Sequence, residues 1–322
     1  MEKKRITEPV AFITECLHGA TDPHFHAVTR YQVSTTVYPT KTVLIVEMSY
    51  HEDATQLSYV NNKVRELIAK IIHPSMHNQQ KLLAIHDWIT ANVLYDHTLQ
   101  RRSAYDALYH ASTVCSGYAS LFWHMCDAVG IPCRIVTGIG KFEAHAWNMV
   151  QLDNHWYHID TTWCTVADQE APFSVYRFYL LTDKEIRRTH TVTILHNQKP
   201  FPPAQMQYRE HLLQLGRSQP RLHTIIQHIQ QKTGLAYLEP EYTVIGITQL
   251  NKRLITACHK RHHRLLFGYR GASISAQKDI QEALYDIKAQ LAHGVAIKVM
   301  MYPMPHGFTD DTVLVDVYLT YM

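Results

Sequence analysis

Three residues of this sequence have the types and spacing of an activated thiol: Cys115, His145 and Asp160. The chain holds 6 cysteines, and their surroundings differ. In TVCSGYASLFWHMCDAVGIPCRIVTG (residues 113–138), Ser112 or Thr113 is a good N-cap. Gly130 followed by Pro132 is a good stop, so a helix is predicted from about Val114 to Val129. Cys115, Ala119, Phe122, Cys126 and Val129 then fall at steps of four and three and form one buried stripe. Cys126 in mid-helix and Cys133 in the apolar run IPCRIVTGI read as packed thiols. Cys115 differs because it opens the helix. There its sulfur meets backbone N–H groups without helical partners and the positive end of the macrodipole, which favour a thiolate. The same N–H groups suit an oxyanion, and Gly117 leaves room beside the sulfur. Taken alone, a buried helix-start cysteine is the plainer alternative.

The base and its orienter come from HAWNMVQLDNHWYHIDTTW (residues 145–163), which reads as two strands joined at Asp153-Asn154. With those two residues as the loop, Leu152 pairs with His155, Met149 with His158 and Trp147 with Asp160, so that His145 faces Thr162. Side chains alternate along a strand, so any even loop puts His145 and Asp160 on one face. A cysteine at a helix start, an imidazole and a carboxylate that fixes its tautomer are the parts of a nucleophilic triad.

Together these stretches resemble the transglutaminase-like superfamily, papain-like cysteine enzymes of circularly permuted order that include bacterial transglutaminase-like domain proteins. The resemblance rests on VCSGYASLF, GIPCRIVTG and HAWNMVQLDNHWYHIDTTW, with weaker support from IHDWITANVLYD ahead and YRFYLLTDKEI behind, and it covers about residues 78–190. It implies an α+β core in which the nucleophile opens a helix packed on an antiparallel sheet whose next strands deliver the base and the acid. Motif by motif, Cys115 takes the nucleophile's place, His145 the general base's and Asp160 its partner's. Ser116 stands where an acidic residue is common, and Cys164 follows Trp163 where Asp is often found. Tyr95, Tyr118, Trp147 and Trp163 are candidate cleft residues, although core or cleft wall is the simpler role for the tryptophans. His155 and His158 read as hydrogen-bonding strand histidines. The implied chemistry is attack on an amide or peptide bond through a thioester. Water makes the protein a peptidase or amidase, and a lysine amine makes it a transglutaminase. A non-catalytic assembly module is the rival of another class.

The elements that must position this trio are legible around it. VTRYQVSTTVYP and KTVLIVEMSY read as a hairpin, covered by a helix in QLSYVNNKVRELIAKII that carries Leu57, Val60, Val64, Leu67, Ile68 and Ile71 at helical spacing. The end of the chain repeats the pattern, with SAQKDIQEALYDIKAQLAHG, stopped at Gly294, before AIKVMMYP and TVLVDVYLTY, a hint of two copies of one small module. Three regions are predicted: residues 1–77, a catalytic core over 78–196, and an α/β domain over 197–322 that begins with the linker NQKPFPPAQ. TDKE (residues 182–185) is a capping box.

Composition narrows the classes. The chain has 322 residues, 46% of them hydrophobic, with 31 Lys and Arg against 28 Asp and Glu. That suffices for one large domain or a few small ones, each with a core. HKRHHR (residues 259–264) is the one basic cluster and reads as a solvated segment; a nucleic-acid footprint needs a basic face. No apolar run approaches the roughly 20 residues of a membrane span, and no secretory signal is visible in MEKKRITEPVAF, so a cytoplasmic protein is expected, with secretion after signal removal still open. The cysteines are too sparse for a disulfide framework. HPSMH (residues 73–77) has i, i+4 histidines but Pro74 inside it and no third ligand nearby, and no EF-hand loop is present, so neither metal nor other cofactor is expected. The partner expected is a protein or peptide substrate, and the oligomeric state is not readable.

Overall fold

The computed structural model describes residues 28–165, 171–193, 200–271, 273–290, 295–303 and 312–321. Cys16, the stop at Gly294 and the first residues of the linker lie outside them. The chain divides into two compact units, residues 1–166 with 178–208 and residues 167–177 with 209–322.

In the first unit, β1 (Val28–Val37) and β2 (Thr42–Tyr50) form the predicted antiparallel hairpin. α1 (Ala54–Ile71) starts at a capping box in which Asp53 accepts from the Gln56 N–H and Gln56 reaches back. α2 (Asn78–Asn92) is capped by His77, while His73 bonds Ser75 Oγ at 2.7 Å, so HPSMH is a capping turn. A short parallel pair, β3 (Leu94–Tyr95) and β4 (Ser112–Thr113), flanks α3 (Ala104–Tyr109) and sets Tyr95 opposite Thr113, two residues before Cys115. α4 (Cys115–Ala128) is the helix that Cys115 opens, one residue shorter at each end than predicted. α1 does not cover the hairpin as expected. Its apolar face, Val60, Val64 and Leu67, packs on α3 and α4, and no hairpin residue is buried.

β5 (Cys133–Gly140), β6 (Glu143–Leu152) and β7 (His155–Ile159) form an antiparallel sheet with β8, in the order β7-β6-β5-β8. Asp153 and Asn154 have φ of 47° and 68°, the left-handed pair that a tight two-residue hairpin turn requires. The register is therefore the expected one, Leu152 with His155 and Met149 with His158. The ladder ends at Ile159, however, so the expected Trp147–Asp160 and His145–Thr162 pairs do not form. The Asp160 N–H donates instead to the Phe178 carbonyl (3.0 Å), and its own carbonyl accepts from Cys164 as α5 (Thr161–Thr165) begins. α6 (Asp183–Ile186) carries the predicted Thr182–Glu185 capping box and leads to β8 (His190–Val192) on the edge of β5. α4 lies on one sheet face, with Ala119 against Ile135 and Ala146. The other face, Val136, Trp147 and Met149, packs on Phe201 and Ala204.

In the second unit, α7 (Tyr208–Ser218) and α8 (His223–Thr233) precede β9 (Thr243–Ile245) and α9 (Gly246–His259). They are followed by β10 (Arg264–Arg270), α10 (Ser273–Gln290), β11 (Val295–Pro303) and β12 (Thr312–Tyr321), with the sheet order β11-β12-β10-β9. Leu250 and Leu254 of α9 and Ile280 and Ala283 of α10 pack with Phe267, Val315 and Val317. The closing hairpin is thus part of a four-stranded sheet and the opening one is not, so the sequence likeness of the two does not extend to their surroundings. The last residue of HKRHHR, Arg264, has its fork on the buried Asp316 at 2.9 and 2.7 Å.

Candidate active site

Cys115 is the first residue of α4 and is half-buried. Its N-cap, Val114, has no capping side chain, and the Val114 carbonyl already takes the Gly117 and Tyr118 N–H groups. That leaves the Cys115 and Ser116 N–H groups of the first turn without a helical or capping acceptor. Gly117 serves a different end from the one expected. A Cβ there would collide with the Thr113 hydroxyl and the Ser103 carbonyl, so the glycine lets the helix start pack on the 101–113 loop. Asp96 organises that loop, accepting from Thr98 and from the Gln100 and Arg101 N–H groups.

His145 Nε2 lies 2.8 Å from Asp160 Oδ2. The ring also hydrogen-bonds Cys115, and with Nε2 taken, Nδ1 is the nitrogen that serves the thiol. Burial pulls the imidazole's pKa down, but the charge and hydrogen bond of Asp160, then Cys115, outweigh it and raise it to about 10. Burial likewise opposes ionisation of Asp160, yet His145 first and His190 next hold its carboxyl at about 2. The Cys115 sulfur thus lies beside an imidazole of raised pKa at the start of a helix. Of the other cysteines, burial pushes the Cys126 and Cys164 thiols well up.

Asp160 is wholly buried and has three donors. Oδ2 takes His145 and, at 3.1 Å, His190 Nε2; Oδ1 takes the Trp163 N–H at 3.1 Å. Trp163 lies over the group, its ring 5.2 Å from that of His145 and 4.3 Å from that of His190, and Lys141 Nζ sits 5.3 Å above its outer side. Gly140 makes this possible, since a Cβ there would stand 2.9 Å from Trp163 and 3.1 Å from His145.

The four candidate cleft residues separate. Tyr95 is half-buried beside Cys115, and burial, then Cys115, raises its hydroxyl pKa. Trp163 roofs the His–Asp pair. Tyr118 is not a cleft residue: it is fully buried with its hydroxyl on the Val93 carbonyl at 2.6 Å, because its position turns it into the core between α2 and α4. Trp147 is also no cleft wall. It is buried behind His145, ring centroids 6.1 Å apart and interplanar angle 19°, and Nε1 donates to His158 Nδ1 at 3.0 Å. An indole only donates, so His158 is neutral with its proton on Nε2, which faces Asp183 at 3.0 Å; burial lowers its pKa accordingly.

His145, Asp160 and His190 are the described residues with metal-ligand spacing, their ligand atoms within 4.8 Å of one another. Both nitrogens point at one carboxylate oxygen at N–H···O distances, so the atoms that would ligate an ion are spent on hydrogen bonds. His190, Thr189 and Asp183 were not singled out from the sequence. The one available signal was a histidine just after a capping box.

Residues 65–161, a stretch that holds Cys115, His145 and Asp160, match the family described as the transglutaminase-like superfamily. It is similar to the kyphoscoliosis peptidases of Mus musculus, 30% identical over 146 residues, and of Homo sapiens, 30% identical over 140 residues. The matches cover 38% and 36% of this chain and 22% and 21% of those proteins, so the chain spans about a fifth of the length of the curated relatives it matches. A solved structure described as a TGase aligns over 41% of this chain and 44% of its own, with 15% identity and a TM-score of 0.31. No helix among the described residues is long and apolar enough to cross a membrane.

Proposed function

We propose that the protein is a thiol hydrolase acting on amide or peptide bonds of a protein or peptide substrate. The observation that carries this is the His145–Asp160 hydrogen bond at 2.8 Å on a ring that also bonds the helix-start Cys115. The Cys115 sulfur attacks the carbonyl carbon, and the N–H groups at the start of α4 stabilise the oxyanion. The C–N bond breaks as His145 Nδ1 gives its proton to the departing amine, leaving a thioester on Cys115. Water then attacks the thioester, His145 takes its proton, and the acid leaves as the thiolate returns. Asp160 balances the imidazolium and keeps the proton of the neutral ring on Nε2 once Nδ1 has given up its own. Tyr95 lines the cleft beside the sulfur. The peptidase name of the relatives favours hydrolysis over acyl transfer, as does the absence of a glycine-hinged lid in the sequence around the site. Incubation with casein and a fluorescent primary amine, following cleavage and amine incorporation together, tests the choice. Cleavage that depends on Cys115 is expected. Amine incorporation outpacing cleavage would instead assign a transglutaminase, and neither activity over varied substrates would favour an assembly module.

A further inference from the structure

His190 is a second imidazole on the orienting carboxylate. It comes from β8, 30 residues after Asp160, and lies fully buried among Trp147, Trp163 and Phe178, with ring centroids at 4.9, 4.3 and 5.7 Å. Its two nitrogens are both engaged, Nε2 with Asp160 Oδ2 at 3.1 Å and Nδ1 with Thr189 Oγ1 at 2.8 Å. A carboxylate oxygen only accepts, so Nε2 carries the proton. Thr189 Oγ1, beside Nδ1, also reaches the Ile186 carbonyl at 3.4 Å, so the ring is engaged on both sides. His190 cannot serve the nucleophile as a base, because its free face meets aromatic rings and its nitrogens are committed.

We infer that His190 is a positioning residue of the site: its donation to Asp160 Oδ2 fixes the carboxylate in the place where that same oxygen receives His145. A buried carboxylate left with two donors in place of three is poorly solvated and rotates toward other donors. That rotation takes the counter-charge away from His145. The role rests on the thiol-hydrolase reading, since holding the carboxylate matters to function only if His145 is the base. Trp163, through its backbone N–H on Oδ1 and its ring over His190, completes the clamp.

The test is the titration of the His145 ring, followed by NMR of imidazole-labelled full-length protein, in the wild type, His190→Phe and His190→Gln. The other titratable groups around the trio, Cys115 on α4, Cys164 on α5, His158 on β7 and Lys141 on the β5–β6 turn, are the same in all three. The ring of His190→Phe fills the space without donating, and the His145 midpoint is expected to fall by about one unit or more, a tenfold loss of proton affinity. His190→Gln, whose amide still donates, is expected to recover most of that shift. A midpoint in His190→Phe that stays in place or rises would overturn the inference, because His190 would then be a bystander or a competitor for the oxygen. If His190→Phe does not fold, Thr189→Val decides: it frees Nδ1, and a smaller fall in the same direction supports the role while no shift refutes it. Cys115 alkylation of the wild type, measured alongside, separates the two claims. Loss of selectivity there refutes the thiol enzyme, whereas an unmoved His145 midpoint refutes only the positioning role.

Discussion

At the scale of the residue, the site is a set of protons held in assigned places. His145 gives Nε2–H to Asp160 and presents Nδ1 to Cys115, while Asp160 holds its charge in a fully buried position through three donors. The linkage with stability follows from the two displaced pKa values. The Asp160 carboxyl lies at about 2 against an ordinary 3.8, so its contribution is complete above pH 3.8 and is lost as pH falls through about 2. The His145 ring lies at about 10 against an ordinary 6.5, so its contribution is complete below pH 6.5 and is lost as pH rises through about 10. Both are present together between about pH 4 and 6.5. Calorimetry of Asp160→Asn across pH is therefore expected to show its largest Tm deficit in that window, narrowing toward both extremes; a deficit that grows toward pH 10 would mean that the pair is not the stabilising unit. With a cleavable substrate in hand, the same variant is expected to fold and to lose about 10⁴ in kcat, the cost of a lost tautomer in other triads.

At the scale of the element, one hairpin and one helix start do the positioning, and both were legible. The Asp153-Asn154 turn fixed the register of β6 and β7, and the helix rules put Cys115 in the first turn of α4 within one residue. What failed was where elements stop and what they cover. Alternation alone carried β7 on past Ile159, although tertiary hydrogen bonds from Phe178 and Leu181 end it. Tyr118 was assigned to the cleft because neighbours of a nucleophile in sequence are not its neighbours on a helix surface. His190 was invisible because β8 is three residues long, has no periodicity of its own, and meets Asp160 only through pairing with β5. The close approach of β5 to the site gives a test at this scale. Gly140→Ala should leave the sheet folded yet push Trp163 and His145 apart, slowing Cys115 alkylation severalfold with a stability loss of about 1–3 kcal/mol. Unchanged alkylation would show that Trp163 does not hold the base.

At the scale of the molecule, the chemistry is concentrated in the first unit, and the superfamily match over residues 65–161 ends one residue after Asp160. Asp183, which fixes His158 behind Trp147, and His190 both lie beyond it, so the part of the chain that holds the Asp160 carboxylate and Trp147 exceeds the part the family match covers. The central claim is that Cys115 is an activated nucleophile among the cysteines of one chain. A brief iodoacetamide pulse at neutral pH on the intact protein, read by peptide mapping, measures this directly for the wild type and His145→Ala. Cys115 is expected to label first and fastest in the wild type and to fall to the rate of an ordinary thiol when His145 is removed. Labelling led by the half-buried Cys133, or a Cys115 rate indifferent to His145, would contradict it.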